Sequence, residues 1–279
     1  MPQQIKQIAI VGCGWLGTPL AYHLLGLGYG VRGTRQHTSS RIELAQAGVI
    51  EGALSVTPEL HCDVSEKIFG GCDLLIINIP PNRKAHDRHY HVTQIQSLAQ
   101  AAVNYQIPKV LFIGSTSVYG PMQGEVTESS PAQPSTQSGQ TLLEIEQWLH
   151  QQPSFVTTTL RFGGMIGPGR HPGRFLSGRQ VDGADTPVNL IHQADCIALI
   201  DALIQRNIWG EVFNACADEH PSRCDFYSAA AKQLDVEMPQ FNHSQNSSKF
   251  ISNQAIKDAL RYSFIYPDPI AWLKVQEKI

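Results

Sequence analysis

The sequence has no hydrophobic run long enough to cross a membrane, since none approaches the ~20 residues that a membrane helix needs. It also has no cysteines at C-x-x-C spacing. The six cysteines are scattered along the chain: Cys13, Cys62, Cys72, Cys196, Cys216 and Cys224. That distribution argues against a disulfide framework and against a zinc site, so reduced thiols and no bound metal are expected.

Charge is also scarce. Charged residues make up 16% of the chain and the formal net charge is −3, which argues against a globally basic nucleic-acid binder. The first six residues contain neither a charged leader nor a cleavable apolar region, so no export signal is visible. We therefore expect a cytoplasmic protein without a nucleic-acid or membrane partner.

Strand-like and helix-like segments alternate along the chain. Short apolar runs at 8–11, 73–79, 109–113, 157–161 and 212–215 predict strands, and helical spacing predicts helices at 18–27, 90–105, 193–206 and 224–234. This alternation predicts an α/β fold with a doubly wound parallel sheet and a smaller C-terminal lobe. We place a Rossmann domain at 1–162 and a substrate lobe at 163–279, with segments returning to the sheet. Residues 163–183 and 242–248 are expected to be loops.

A glycine-rich turn follows the first predicted strand. Gly12-Cys13-Gly14-Trp15-Leu16-Gly17 fits the pattern G-x-G-x-x-G, and it leads directly into a helix as that motif requires. The first glycine permits a tight turn, the second admits a pyrophosphate, and the third lets helix and strand pack closely. Free N–H groups at the helix N-terminus would then hold the phosphates. The sequence thus predicts a dinucleotide site.

The end of the second strand indicates which dinucleotide is preferred. An NAD site usually has an acidic residue about 20 residues after the motif. Here Thr34 and Arg35 occupy that region, and the first carboxylate is Glu43. A guanidinium suits the 2′-phosphate of NADP, so we predict NADP with contacts from Thr34 and Arg35. The alternatives are a solvated Arg35 and NAD.

Several further motifs together resemble a known family. They are Gly114-Ser115-Thr116-Ser117-Val118-Tyr119-Gly120, Leu160-Arg161-Phe162-Gly163, Asn189-Leu190-Ile191-His192 with Asp195, and Val212-Phe213-Asn214. In this order they resemble the extended short-chain dehydrogenase/reductase superfamily, and most closely its YeeZ-like atypical branch of epimerase/dehydratase-like proteins. The resemblance implies NAD(P) binding and further cofactor contacts from Ile79, Pro80, Pro81, Ser115 and Phe162.

The resemblance also implies catalytic positions, and two of them are altered. Ser115 matches the residue that hydrogen-bonds the substrate oxygen. The family's Tyr-x-x-x-Lys pair, which supplies acid and base, is replaced by Ser138 and Leu142.

Tyr119, His171 and His192 are candidate substitutes for the missing pair. Ser138 is kept as a candidate catalytic residue, although a serine hydroxyl is too weak an acid to replace a phenol. The alternative for Tyr119 is a packing role. The alternative for His192 is a hydrogen bond to Asp195 or to the backbone.

A basic loop suggests the substrate. Arg170, His171 and Arg174 lie among glycines and prolines, where arginine forks suit carboxylate or phosphate groups. With Asn189 from the resemblance, they predict a site for an anionic small molecule. The alternative is a cluster of surface cations.

Two functional hypotheses remain at this point. One is an NAD(P)-dependent oxidoreductase or epimerase-like enzyme with altered acid–base machinery. The other is a catalytically silent dinucleotide-binding protein with a regulatory or redox-sensing role.

The helix at 141–149 carries Leu142, Ile145 and Leu149, which could face this chain's own core or a second copy, so a monomer or a homodimer is expected.

Overall fold

The computed structural model describes residues 4–35, 38–57, 59–61, 65–81, 89–243 and 248–275. Its strands are β1 Gln7–Val11, β2 Gly30–Arg35, β3 Ile50–Ala53, β4 Ser55–Thr57, β5 Glu59–His61, β6 Leu74–Ile77, β7 Lys109–Ser115, β8 Gln123–Val126, β9 Val156–Phe162, β10 Gly164–Ile166, β11 Gln180–Asp182, β12 Leu190–His192, β13 Val212–Ala215, β14 Gln240–Asn242 and β15 Ser248–Ile251. Its helices are α1 Gly17–Gly26, α2 Thr38–Gln46, α3 Ser65–Phe69, α4 His89–Asn104, α5 Gln137–His150, α6 Gln193–Arg206, α7 Arg223–Gln233, α8 Gln254–Leu260 and α9 Pro269–Val275. Within the described ranges, no helix has the length and apolar content needed to span a membrane.

A seven-stranded parallel sheet forms the centre of the fold, with strand order β13-β9-β7-β6-β1-β2-β3. Ile8 of β1 pairs with Val31 of β2 on one side and with Leu74 of β6 on the other. The chain therefore winds outward from β1 in one direction and from β6 in the other. The predicted doubly wound α/β sheet is confirmed, and its topological switch point lies between β1 and β6, where ligands bind in such sheets.

Burial explains the apolar strands. Ile8, Ile10 and the whole of β6 are fully buried, as expected for parallel strands covered on both faces. Helix α4 buries the stripe that its helical spacing predicts, which includes Ile95, Leu98 and Ala102. Helix α5 buries Leu142, Ile145 and Leu149 within this chain.

The chain divides into two compact units. Unit 1 comprises residues 1–118, 134–160 and 200–212, and unit 2 comprises residues 119–133, 161–199 and 213–279. Both units are discontinuous in sequence. The predicted division at residue 162 remains an interpretation.

Small two-stranded sheets lie in unit 2. β8 pairs with β15, β10 with β12, and β11 with β14, all in parallel. The prediction of a loop at 242–248 is wrong at both ends, because Asn242 ends β14 and Ser248 begins β15. Residues 244–247 lie outside the described residues. The predicted loop at 163–183 likewise contains β10 and β11.

A buried carboxylate anchors the C-terminal segment of unit 2. Asp195, in the first turn of α6, is fully buried. It accepts hydrogen bonds from the Tyr262 hydroxyl at 2.8 Å, the Ile265 N–H at 2.7 Å and the Tyr266 N–H at 3.1 Å. Burial raises the pKa of Asp195 and these three donors oppose that shift. The segment around 262–266 is thereby fixed to the start of α6.

Candidate cofactor and substrate sites

The glycine-rich turn lies directly after β1, at the switch point of the sheet. Gly12 has φ of 102°, which favours glycine, and a Cβ there would overlap the backbone carbonyl of Asn78. A Cβ on Gly17 would overlap the Gly12 carbonyl. The first and third glycines of the motif are therefore required by the protein's own packing.

The second glycine has a different environment. Gly14 is exposed, and a Cβ placed on it would meet no atom within 4 Å. Helix α1 begins after Leu16, whose side chain supplies no cap to the first-turn N–H groups. Half-buried Trp15 lies between these two residues. An open glycine beside a helix N-terminus that has no side-chain cap fits the pyrophosphate of a dinucleotide.

Thr34 and Arg35, at the end of β2, brace the turn. The Thr34 side chain is buried, and its hydroxyl accepts from the Gly12 N–H at 3.3 Å. The Arg35 guanidinium donates from Nε to the Cys13 carbonyl and from Nη2 to the Thr18 hydroxyl at 2.9 Å. Its Nη1 lies 3.9 Å from the exposed carboxylate of Glu43. Arg35 is therefore held beside the first turn of α1.

The segment that follows β6 lies on the other side of β1. Ile79 and Pro81 are half-buried and Pro80 is exposed. Before them, the Asn78 side chain donates from Nδ2 to the Gly12 carbonyl at 2.9 Å. Sequence reasoning did not single out Asn78. The available signal was a polar residue that ends an apolar strand next to β1.

The serine turn follows β7 in unit 1. Ser115 is half-buried, and its Oγ accepts from the Ser117 N–H at 3.1 Å. Because that bond uses an acceptor site, the hydroxyl hydrogen of Ser115 remains available to donate. Helix α5 packs closely here, since a Cβ on Gly139 would lie 2.5 Å from the Ser117 carbonyl oxygen.

Helix α5 carries Ser138 and Leu142, the two positions that the resemblance aligns with the family's Tyr and Lys. Its N-cap Thr136 accepts from the Gly139 N–H at 3.1 Å. Ser138, next along the helix, is exposed, with its Oγ 3.5 Å from Thr136 Oγ1. Leu142 is buried. This helix therefore presents neither a phenol nor an ammonium at the two positions.

Tyr119 belongs to unit 2 and is almost fully buried. Its hydroxyl accepts from Arg161 Nη1 at 2.5 Å and lies 3.0 Å from both the Thr127 carbonyl and Asn214 Oδ1, to either of which it can donate. The Arg161 guanidinium also stacks over the Tyr119 ring, 5.0 Å from its centre. Burial raises the pKa of the phenol, and Arg161 opposes that shift. This environment favours the packing role for Tyr119.

His192 is also buried in unit 2. Its Nδ1 accepts from the Ala194 N–H at 3.1 Å, and its ring packs against Tyr266 and Trp272, with centroids at 4.1 and 5.1 Å. Burial lowers the pKa of the imidazole to about 4. The expected bond to the backbone is present. The expected bond to Asp195 is not, because the C-terminal segment occupies that carboxylate.

The basic loop is held in place by its own histidine. His171 Nδ1 accepts from the Gly173 N–H at 3.1 Å and its Nε2 lies 2.9 Å from Gln233 Oε1, so the ring caps a short 3₁₀ turn at Pro172–Arg174. Arg170 and Arg174 are exposed.

The remaining two predicted site residues are also in unit 2. Asn189 accepts from the Ile251 N–H at 2.7 Å and donates to the Lys249 carbonyl at 3.2 Å, so its amide joins two segments of the chain. Phe162, at the end of β9, is 1% exposed.

A family model matches the chain over residues 8–216, and its description is the NAD dependent epimerase/dehydratase family. The chain belongs to this family. It is 39% identical to Protein YeeZ of Escherichia coli K12 over 270 residues, covering 95% of this chain and 98% of that protein.

Solved structures of the family share the fold. The UDP-glucuronic acid 4-epimerase of Bacillus cereus, in complex with UDP-glucuronic acid and NAD, has a TM-score of 0.79 at 20% identity, with 96% of each chain covered. A short-chain dehydrogenase/reductase superfamily protein of Agrobacterium tumefaciens with bound NAD has a TM-score of 0.75 at 17% identity, covering 96% of this chain and 95% of that one. The predicted family resemblance is confirmed.

Proposed function

We propose that this epimerase/dehydratase family member is an NADP(H)-dependent enzyme of the oxidoreductase or epimerase type that acts on a small anionic molecule. The observation that carries the proposal is the turn at Gly12–Gly17, where an exposed Gly14 adjoins the uncapped N-terminus of α1. A nicotinamide dinucleotide, when bound, supplies a hydride acceptor or donor. Gly14, Trp15 and Leu16 would hold its pyrophosphate.

The preference for NADP rests on Arg35. Its contacts with Cys13 and Thr18 hold a cation at the end of β2, and among the described residues the exposed carboxylate of Glu43 lies within ion-pair range, at 3.9 Å. An exposed ion pair at that distance contributes little, so a 2′-phosphate can replace it. A phosphate dianion would also gain the guanidinium's paired donors.

Ser115 is the residue we propose to contact the substrate oxygen. Its Oγ already accepts from Ser117, which leaves its hydrogen available to donate to the substrate oxygen. A hydroxyl donor stabilises developing negative charge on that oxygen. Because Ser138 and Leu142 replace a phenol and an ammonium, we expect slower proton transfer than an intact pair would give, by a factor of ~10²–10⁴. Direct catalytic roles for Tyr119 and Ser138 remain predictions.

The anionic substrate is proposed from the exposed Arg170 and Arg174, with His171 and Asn189 as supports of the loop and the neighbouring strand. Replacing either arginine with alanine should weaken binding of UDP-glucuronic acid, used as a probe, by about 10-fold. Arg179→Ala, which removes an exposed arginine from the same segment, is the matched control. Equal binding by all three variants would refute the assignment.

Titration calorimetry with both coenzymes tests the cofactor. We expect NADP to bind at least about 10-fold more tightly than NAD, and Arg35→Leu to abolish that ratio while exposed Arg206→Leu preserves it. Tighter binding of NAD would overturn the preference.

Turnover distinguishes the enzyme from the alternative, a silent dinucleotide-binding protein, which the Ser138 and Leu142 replacements favour. The absorbance of the nicotinamide band is recorded while the protein and coenzyme are incubated with each member of a panel of UDP-sugars and small carbonyl compounds. An epimerase returns the hydride to its substrate, so the sugar products are analysed as well. Binding with neither an absorbance change nor an altered sugar would support the silent protein. Thiol-based sensing is not favoured at Cys13, because burial raises the pKa of its thiol to about 12.

A further inference from the structure

Asn78 lies where β6 ends beside β1. Its backbone N–H donates to the Val11 carbonyl at 2.9 Å, which continues the β1–β6 pairing by one residue. Because β1 and β6 flank the switch point of the sheet, Asn78 and the glycine-rich turn leave adjacent strands at the same carboxyl edge. Asn78 therefore adjoins the turn without belonging to the motif.

The Asn78 side chain contacts the turn directly. Its Nδ2 donates to the Gly12 carbonyl at 2.9 Å and would lie 3.1 Å from a Cβ on Gly17. The same carbonyl also accepts from the Gly14 N–H at 2.8 Å. Asn78 thus holds the peptide group that connects the first glycine to the rest of the motif.

The opposite side of the turn is held by β2. Thr34 accepts from Gly12 and Cys13, while Arg35 and Thr18 donate to the Cys13 carbonyl. The carbonyl oxygens of Gly12 and Cys13 are therefore both bonded to protein donors. A carbonyl that rotated toward an incoming pyrophosphate would repel it, so fixing these oxygens matters for anion binding.

We propose that Asn78 is a positioning residue for the dinucleotide site, and that its amide donor keeps the Gly12 carbonyl turned away from the bound phosphates. This inference rests on the proposed function, because it assumes that the turn binds a dinucleotide. The proposed role depends on the hydrogen bond that the side chain donates, and not only on the volume that it occupies.

The test uses Asn78→Leu, Asn78→Asp and a control, Asn104→Leu, at an exposed position at the end of α4. Affinities for NADP and NAD are measured by calorimetry at pH 8, with melting temperatures alongside. Because N78L lacks the amide donor, its affinity for each coenzyme should fall about 10-fold, which corresponds to the loss of one hydrogen bond. N78D, whose ionised carboxylate cannot donate and repels phosphate, should bind still more weakly. N104L should match the wild type.

The pH dependence separates positioning from a merely structural role. At pH 5, the protonated fraction of N78D can again donate to the Gly12 carbonyl, so its affinity relative to the wild type should rise compared with pH 8. A purely structural role predicts a lower melting temperature with no such recovery. If N78L does not fold, the N78D profile decides the matter.

The outcomes also separate this inference from the proposed function. Wild-type protein that binds coenzyme while N78L and N78D bind equally well would overturn the positioning role and leave the proposed function intact. Wild-type protein that binds neither coenzyme would overturn both.

Discussion

The glycine-rich turn of unit 1 and the buried polar clusters of unit 2 use hydrogen bonds in opposite ways. At the turn, the carbonyls of Gly12 and Cys13 are bonded to protein donors, while exposed Gly14 adjoins a helix N-terminus that has no side-chain cap. In unit 2, the Asp195 carboxylate and the Tyr119 hydroxyl are buried and bonded to other protein groups. The first arrangement leaves an open approach to the backbone for a ligand. The second uses its polar groups in contacts within the protein.

Burial distinguishes binding residues from structural ones in this fold. A buried polar group must have a partner, because an unpaired one costs about 1–3 kcal/mol or more. An exposed donor at a helix N-terminus carries no such penalty, since water satisfies it until a ligand arrives. Mutations in unit 2 should therefore lower stability, and a mutation at Gly14 should lower affinity alone.

The largest effect on stability is expected at Asp195. Replacing it with alanine leaves the Tyr262 hydroxyl and the Ile265 and Tyr266 N–H groups without their acceptor. We expect Asp195→Ala to lose about 4 kcal/mol of unfolding free energy, measured by urea titration. Asp258→Ala, at an exposed position in α8, should lose less than about 1 kcal/mol. Equal losses of unfolding free energy in the two variants would contradict the contrast between buried and exposed polar groups.

A pH-dependent effect is expected at His192. Its pKa falls from an ordinary 6.5 to about 4 in the folded protein, so the unfolded chain binds the proton more readily between these values. The contribution of neutral His192 to the free energy of unfolding is therefore fully present above pH 6.5. It is lost as the pH falls toward 4, by up to about 3 kcal/mol. His192→Phe should flatten this part of the stability profile. An unchanged slope in the variant would assign the loss to other groups.

A smaller effect is expected at Tyr119. Tyr119→Phe removes one acceptor of buried Arg161, together with the hydroxyl's own donor bond, and should lower the unfolding free energy by about 2 kcal/mol. Tyr22→Phe, at an exposed position in α1, should change it by less than about 0.5 kcal/mol. Loss of turnover at unchanged stability in Y119F would instead support a catalytic role for this phenol.

Local features of the fold could be read from the sequence, and long-range contacts could not. The glycine turn and α6 were predictable because glycine spacing and helical periodicity are encoded within a few residues. Asn78 reaches the turn across 66 positions, and Arg161 reaches Tyr119 across 42. Such contacts depend on strand order, which periodicity does not give.

The wrong loop predictions have one cause. The polar 240s were expected to be a loop, yet Asn242 and Ser248 pair with strands β11 and β8, distant in the chain. The predicted loop at 163–183 contains β10 and β11, which pair with the later strands β12 and β14. In each case the pairing partner lies far away in the sequence, so local composition does not reveal the strand.

The most direct test of the account compares Gly14→Ala with Gly26→Ala. A Cβ at either position meets no protein atom within 4 Å, so both variants should keep wild-type folding, with Gly26→Ala gaining up to about 1 kcal/mol in the helix. Calorimetry should show coenzyme affinity reduced at least about 10-fold in G14A, because the added methyl group occupies the approach of the pyrophosphate. Affinity in G26A should equal that of the wild type. Equal coenzyme binding by G14A, or no binding by the wild type, would contradict the account.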